Sequence, residues 1–215
     1  MAEELRVLGR GRVSGDDRAL ELNEKNELLV GLGLPEYTQI AKRGNGYSVI
    51  ATDAVAALVI RPSTTAMFTL FNGEAAGSDK CYIVDRIFTH CLVGVNAEGR
   101  FSLWACSHPA GMTAPGSELA ASATNFTGSY GKTYNGLAVA NLALACVDNG
   151  WYPWGYSTSH PAAGTLPGAA ISVDVKGRLI IPPQGGLSLT VVASTNGATF
   201  CTGLSWWEET VHLGA

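Results

Sequence analysis

The chain has 215 residues, enough for one domain with an appendage and a sizeable core. Charged residues make up only 15% and Gly reaches 26 residues, where an average soluble domain carries roughly 25% charge, so the composition predicts a glycine-turned β protein with much uncharged surface. The net charge of −4, with no Lys/Arg run beyond the pair Lys42-Arg43, argues against a nucleic-acid binder, because phosphate recognition needs concentrated cations.

In chain order, the N-terminal MAEELRVLGRGRV has neither the apolar core nor the cleavage site of a signal peptide, which predicts synthesis in a cytoplasm. Residues 1–62 hold 8 of the 14 basic and 9 of the 18 acidic residues, whereas 101–175 hold only Glu118, Lys132, Asp148 and Asp174. The shift predicts a polar arm over 1–44, ending at the flexible turn Gly44-Asn45-Gly46, and a β-sandwich body over 45–215. Within the arm, Leu20, Leu22, Leu28 and Val30 alternate on either side of Asn23-Glu24-Lys25-Asn26, the pattern of a short hairpin over 19–31. A helix from Asp17 to Leu29 is the competing reading, favoured by Glu and Lys propensity. A Gly-Pro corner at 33–35 and a short amphipathic segment from Glu36 to Lys42 complete the arm.

The body reads as strands punctuated by turns. They are expected at 47–52, 56–60, 66–72, 81–95, 101–107, 137–147, 170–175, 178–183, 187–194 and 198–211, with no convincing helix. The Gly/Ser/Thr-rich stretch 108–135 reads as a surface connection, and Lys176-Gly177 as a hairpin turn. The longest apolar run, residues 136–147, is too short to span a bilayer and contains Asn141. Many short strands at this spacing predict an all-β, jelly-roll-like sandwich with an N-terminal extended arm or hairpin. The odd set Cys81, Cys91, Cys106, Cys146 and Cys201 lies in or beside apolar runs, the pattern of buried reduced thiols.

Catalytic signatures are missing from the sequence: no nucleophile elbow, phosphate loop, dinucleotide fingerprint or zinc-protease helix occurs. Cys106 and His108, two apart on a strand, face the same way and could hold a metal, but no second ligand pair accompanies them. Adjacent Asp85 and Arg86 interrupt an apolar strand and must face solvent, a partner or each other; because neighbours on a strand point opposite ways, one of them is expected to meet a neighbouring subunit or loop. Glu208 and Glu209 point to opposite faces and cannot flank one glycosidic bond, and Trp206 and Trp207 split between core and surface in the same way. No catalytic residue, cofactor or metal is therefore expected.

The stretch NGWYPWGYSTSHP, 149–161, reads as an irregular loop that grips something. Trp151, Tyr152, Trp154, Tyr156 and His160 are its candidate contact residues. Flat rings with polar tips suit a sugar face and a protein hot spot alike. With no acid or amide interleaved after Asn149 to hold sugar hydroxyls, a sister subunit is the favoured partner and a host glycan the alternative.

LELNEKNELLVGLGLPEY followed by IAKRGNGYSV resembles the N-terminal segments of structural proteins in tailed-phage particles. LFNGE, CYIVDRIF and RLIIPPQGGLSLTVVASTNGATFCTGLSWWE are similar to strands of phage jelly-roll proteins that decorate capsids or form spikes. The resemblance covers the arm and both ends of the body but not 108–160. It implies a non-enzymatic virion protein made in the host cytoplasm, a homo-oligomer (a trimer by analogy), with other virion proteins such as the major capsid protein as neighbours. In that setting Leu28, Leu29, Val30, Leu34, Pro35 and Tyr37 are the residues expected to dock the arm.

Overall fold

The computed structural model describes residues 8–10, 17–19, 37–51, 54–64, 66–94, 100–112, 114, 123–128, 133–142, 150–157 and 169–212. The chain divides into two compact units, Met1–Thr38 and Gln39–Ala215. In the first, β1 (Leu8–Arg10) pairs antiparallel with β2 (Asp17–Ala19), Leu8 opposite Ala19. The hairpin expected over 19–31 falls almost wholly outside the described residues, as do the docking candidates Leu28, Leu29, Val30, Leu34 and Pro35. Tyr37 is exposed and left-handed, with φ 68°.

At the start of the second unit, the amphipathic segment forms α1 (Thr38–Lys42). It stops at Gly44, whose φ of 71° lets its N–H turn back 2.8 Å to the Ala41 carbonyl. The strands that follow build two antiparallel sheets packed face to face, a jelly-roll-like β-sandwich. They are β3 (Gly46–Ile50), β4 (Val55–Ala56), β5 (Ala66–Asn72), β6 (Lys80–Val93), β7 (Phe101–His108), β8 (Thr124–Asn125), β9 (Gly136–Leu142), β10 (Trp151–Ser157), β11 (Ala170–Ile181), β12 (Gly186–Ala193) and β13 (Thr199–Thr210). One sheet runs β10-β7-β12-β5-β9 and the other β11-β6-β13-β3-β8, with β4 on β13. Successive strands β5, β6 and β7 alternate between sheets, as do β11, β12 and β13, so each connection crosses the sandwich end.

The core follows the period of two. Tyr82, Val84, Ile87, Thr89 and Cys91 of β6 point inward to meet Phe200, Thr202, Leu204 and Trp206 of β13. Val84 and Ile87 are three apart, and both face inward because Asp85 is an extra residue between Ser205↔Arg86 and Trp206↔Val84. Trp206, fully buried, stacks between Tyr47 and Tyr82 with centroids 5.4 and 5.9 Å away. Burying these rings supplies about 2–3 kcal/mol each at roughly 25 cal/mol per Å².

The structure corrects four expectations. The strand expected at 56–60 shrinks to Val55–Ala56 and an isolated bridge from Leu58 to Val192. Residues 170–175 and 178–183 are one strand, because both flanks of Lys176-Gly177 pair with β6, Asp174 opposite Arg86 and Leu179 opposite Val84. Lys176 and Gly177, with φ 52° and 75°, throw out a bulge rather than a hairpin. The stretch 108–135 is not wholly a connection, since His108 ends β7 and Thr124–Asn125 pairs with β3. Finally, 151–157 is not a loop but the edge strand β10.

Candidate functional site

Strand β10 takes shape despite Pro153 because, among the described strands, only one of its edges is paired. An edge strand tolerates a missing N–H on its open side. Its ladder with β7 slips between Pro153 and Gly155, leaving Trp154 as the bulged residue. Pro and a bulge are two devices that stop an edge from recruiting a foreign strand, so β10 presents side chains rather than backbone.

The four aromatic candidates take three different roles. Trp151 is buried, packs with Ala66, Cys106 and Trp104, and donates its indole N–H to the Ser63 carbonyl at 2.9 Å. Trp154 is half-buried against the main core, with the Arg178 guanidinium over its ring at 5.1 Å. Arg178 is itself held by the β11 bulge, donating from Nε to the Val175 carbonyl at 3.0 Å and from Nη2 to the Asp174 carbonyl at 2.9 Å. Tyr152 and Tyr156 are largely open to solvent, 66% and 80% exposed, on opposite faces of the strand, Tyr152 opposite Ala105 and Tyr156 opposite Ser102. Beside Tyr152 a hollow of about 430 Å³ is lined by Ala105, Ser107, Gly150, Tyr152, Trp154 and Leu179. His160 lies outside the described residues.

Gly155 explains why the strand runs so close to its neighbour: a Cβ there would lie 2.8 Å from Val173 and 2.9 Å from Ile171 of β11. β10 and β11 end their respective sheets on the same flank of the sandwich.

Two polar clusters were not legible as sites. His108 Nε2 lies 2.8 Å from Ser188 Oγ, which is 2.9 Å from Thr69 Oγ1. This is the reach of a base and a nucleophile, yet all three side chains are buried, Ser188 fully. Burial holds the His108 imidazole below its usual pKa, hence neutral. Ser188 Oγ, flanked on both sides by protein, has no face for a carbonyl to approach, so the trio knits β5, β12 and β7 together. Cys106 packs with Trp151 and Ala66, away from any second set of ligands. No cluster of metal-ligating side chains occurs among the described residues.

The second cluster closes one end of the sandwich. Glu208 is 2% exposed, and its Oε2 accepts from Lys80 Nζ at 2.8 Å while Lys80 also donates to Glu74 at 2.5 Å. Burial works against the Lys80 charge, but hydrogen bonds to Glu208 and Glu74 outweigh it and raise the ammonium pKa. Asn45 adds a bond to the Glu208 carbonyl at 3.3 Å. Strand alternation alone assigns Glu208 and Glu209 to opposite faces, and their burial differs accordingly. No local pattern could reveal Lys80 as the partner, 128 residues away.

Arg86, of the Asp85-Arg86 pair, meets Asp174 on the next strand at 2.9 Å, both side chains about half exposed. Cys81, Cys91, Cys106 and Cys201 are buried thiols outside any disulfide, and Cys146 lies outside the described residues. Burial pushes the Cys81 and Cys91 thiols up, which makes them poor nucleophiles. Compared with protein-family models, with curated proteins and with solved structures, the chain matches none.

Proposed function

We propose that the chain is a non-enzymatic structural protein of a virus particle, of the capsid-decoration or minor-capsid kind, that works by holding neighbours. The observation that carries this reading is β10, an edge strand without a charged residue that turns Tyr152 and Tyr156 largely to solvent. Tyrosine offers a large, rigid area with a polar tip, and is among the residues enriched at protein contacts. The rings are set on rigid backing, since Trp151 and Trp154 anchor the same strand to the body. The burial of Ser188 within its hydrogen-bonded trio supports a non-catalytic role. In this reading the neighbours are sister subunits, a trimer by analogy, and other virion proteins such as the major capsid protein; the protein is made in the host cytoplasm and resides in the virion.

The test is Tyr152→Ala with Tyr156→Ala in the full chain. Both side chains are exposed, so the thermal midpoint should stay within about 1–2 °C. The mean mass by light scattering should fall at a concentration where the native chain forms oligomers. An unchanged mass distribution would remove β10 from assembly.

A second reading is favoured by the hollow of about 430 Å³ beside Tyr152 and Trp154, which is of a size to take sugar rings. Here the chain is a glycan- or receptor-binding module. Binding on a glycan array that disappears in the same double variant, with oligomer mass unchanged, selects this reading over assembly.

A further inference from the structure

The outward face of the six-stranded sheet carries a pattern that a second copy of the same face would fit. Outward on β6 stand Ile83, Arg86, Phe88 and His90, and opposite them on β11 stand Ile180, Asp174, Ser172 and Ala170. Their inward neighbours Tyr82, Val84, Ile87 and Thr89, and Ile171, Val175 and Ile181, are buried, which fixes the direction of both rows. Phe88 and His90 touch edge to face at 6.3 Å, and Arg86 bonds Asp174, as neighbours on one face must.

Across the two strands, three of the four rows set unlike against unlike. Bulky Phe88 is beside Ser172, bulky His90 beside Ala170, and cationic Arg86 beside anionic Asp174. A two-fold axis running between β6 and β11, parallel to the strands, lays the β6 row of one copy over the β11 row of the other. Phe88 then sits over the small Ser172 side chain, His90 over Ala170, Ile83 over Ile180, and each Arg86 over an Asp174. An isologous contact requires this self-complementarity in shape and charge.

We propose that this face is a homodimer contact, centred on Phe88 and the Arg86–Asp174 pair. The footprint is small. Residues 83–90 of β6 at a rise of ~3.4 Å run ~27 Å, and two strands with their side chains are ~12 Å wide, giving ~300 Å² per copy. That is less than half the ~800 Å² of a standard interface. The contact is therefore weak and forms at the high local concentration of an assembly.

The experiment uses sedimentation velocity over a concentration series, in the Tyr152→Ala/Tyr156→Ala background so that β10 does not contribute. The parent should show a concentration-dependent dimer. Arg86→Glu alone, and Asp174→Arg alone, should each weaken it at least about tenfold, since like charges then face one another. An equimolar mixture of the two variants should recover the dimer. In that mixed pair the introduced glutamate of one chain meets the introduced arginine of the other, while Asp174 of the first meets Arg86 of the second. The recovery cannot come from repair within a chain, because each variant keeps its own broken pair. Ser172→Phe, which sets a second bulky ring against Phe88 from an exposed position, should also abolish the dimer. Ile50→Asp, exposed on β3 outside the footprint, should leave it intact. A parent that stays monomeric into the millimolar range, a mixture no more dimeric than its components, or a dimer lost on Ile50→Asp overturns the proposal. None of these results bears on the tyrosines of β10.

Discussion

At the scale of single residues, the informative polar groups are the buried ones. His108 sits among Ser188 and Thr69 on strands buried on both faces. Because burial depresses its folded pKa, the unfolded chain takes up the proton first as pH falls. Its contribution to stability is thus fully present above the unfolded value of about 6.5 and is lost as pH drops from there through the folded pKa. The urea midpoint of the native chain should fall between pH 7.5 and 5, whereas His108→Gln, which can keep a bond to Ser188, should show a flatter profile in that window. Parallel profiles for the two proteins would assign the acid sensitivity elsewhere. Lys80 and Glu208 illustrate a different balance: the carboxylate is buried while its cation remains partly wet. Such a pair fixes how the sandwich end closes more than it adds net stability.

At the scale of elements, strands with plain alternation or continuous apolar character were legible from sequence. Residues 66–72 and 101–107 match β5 and β7 within one residue, because nothing in them breaks the pattern. Two of the misreadings share one cause, which is irregular backbone tolerated by tertiary pairing. Pro153 and Gly155 mark 151–157 as a loop on local grounds, yet an open edge forgives the one and contact with β11 requires the other. Lys176-Gly177 carries a hairpin signature, but β6 continues past it and pairs with both flanks. The aromatic set from Trp151 to Tyr156 shares one strand, but its members part company there, and only pairing decides that Trp151 shares the Cys106 face, where it is covered, and Tyr152 the Ala105 face, where it is exposed. Gly203, in the middle of β13, shows how tightly pairing constrains a position. A Cβ there would strike the Val49 carbonyl and lie 2.8 Å from both Ile50 Cα and the Phe88 ring. Backbone cannot yield as a long side chain can, so Gly203→Ala should cost about 3 kcal/mol. At roughly 2–4 °C per kcal/mol for a domain of this size, calorimetry should record a fall of about 6–12 °C. A midpoint within about 2 °C of the native one would mean that β3 and β13 separate more easily than their ladder implies.

At the scale of the whole molecule, low charge and a two-sheet architecture combine to set the two proposed contact surfaces on one flank. β10 ends one sheet and β11 the other, so the exposed tyrosines and the Phe88 face lie on adjoining sides of the same sandwich. The two surfaces differ in kind. A face that pairs by a two-fold axis closes on itself and stops at a dimer, whereas a heterologous contact through β10 continues to a ring or a chain of subunits. Acting together they would link rings into larger particles, and each weak contact would gain from the other through raised effective concentration. The prediction is a graded series in light scattering at one fixed concentration. The native chain should give the largest mass. Tyr152→Ala/Tyr156→Ala should stop at the dimer, Arg86→Glu at the β10-linked oligomer, and the combined variant at the monomer. If the combined variant retains the mass of either parent, a third surface dominates assembly. If the two partial variants give identical species, the two surfaces act as a single interface.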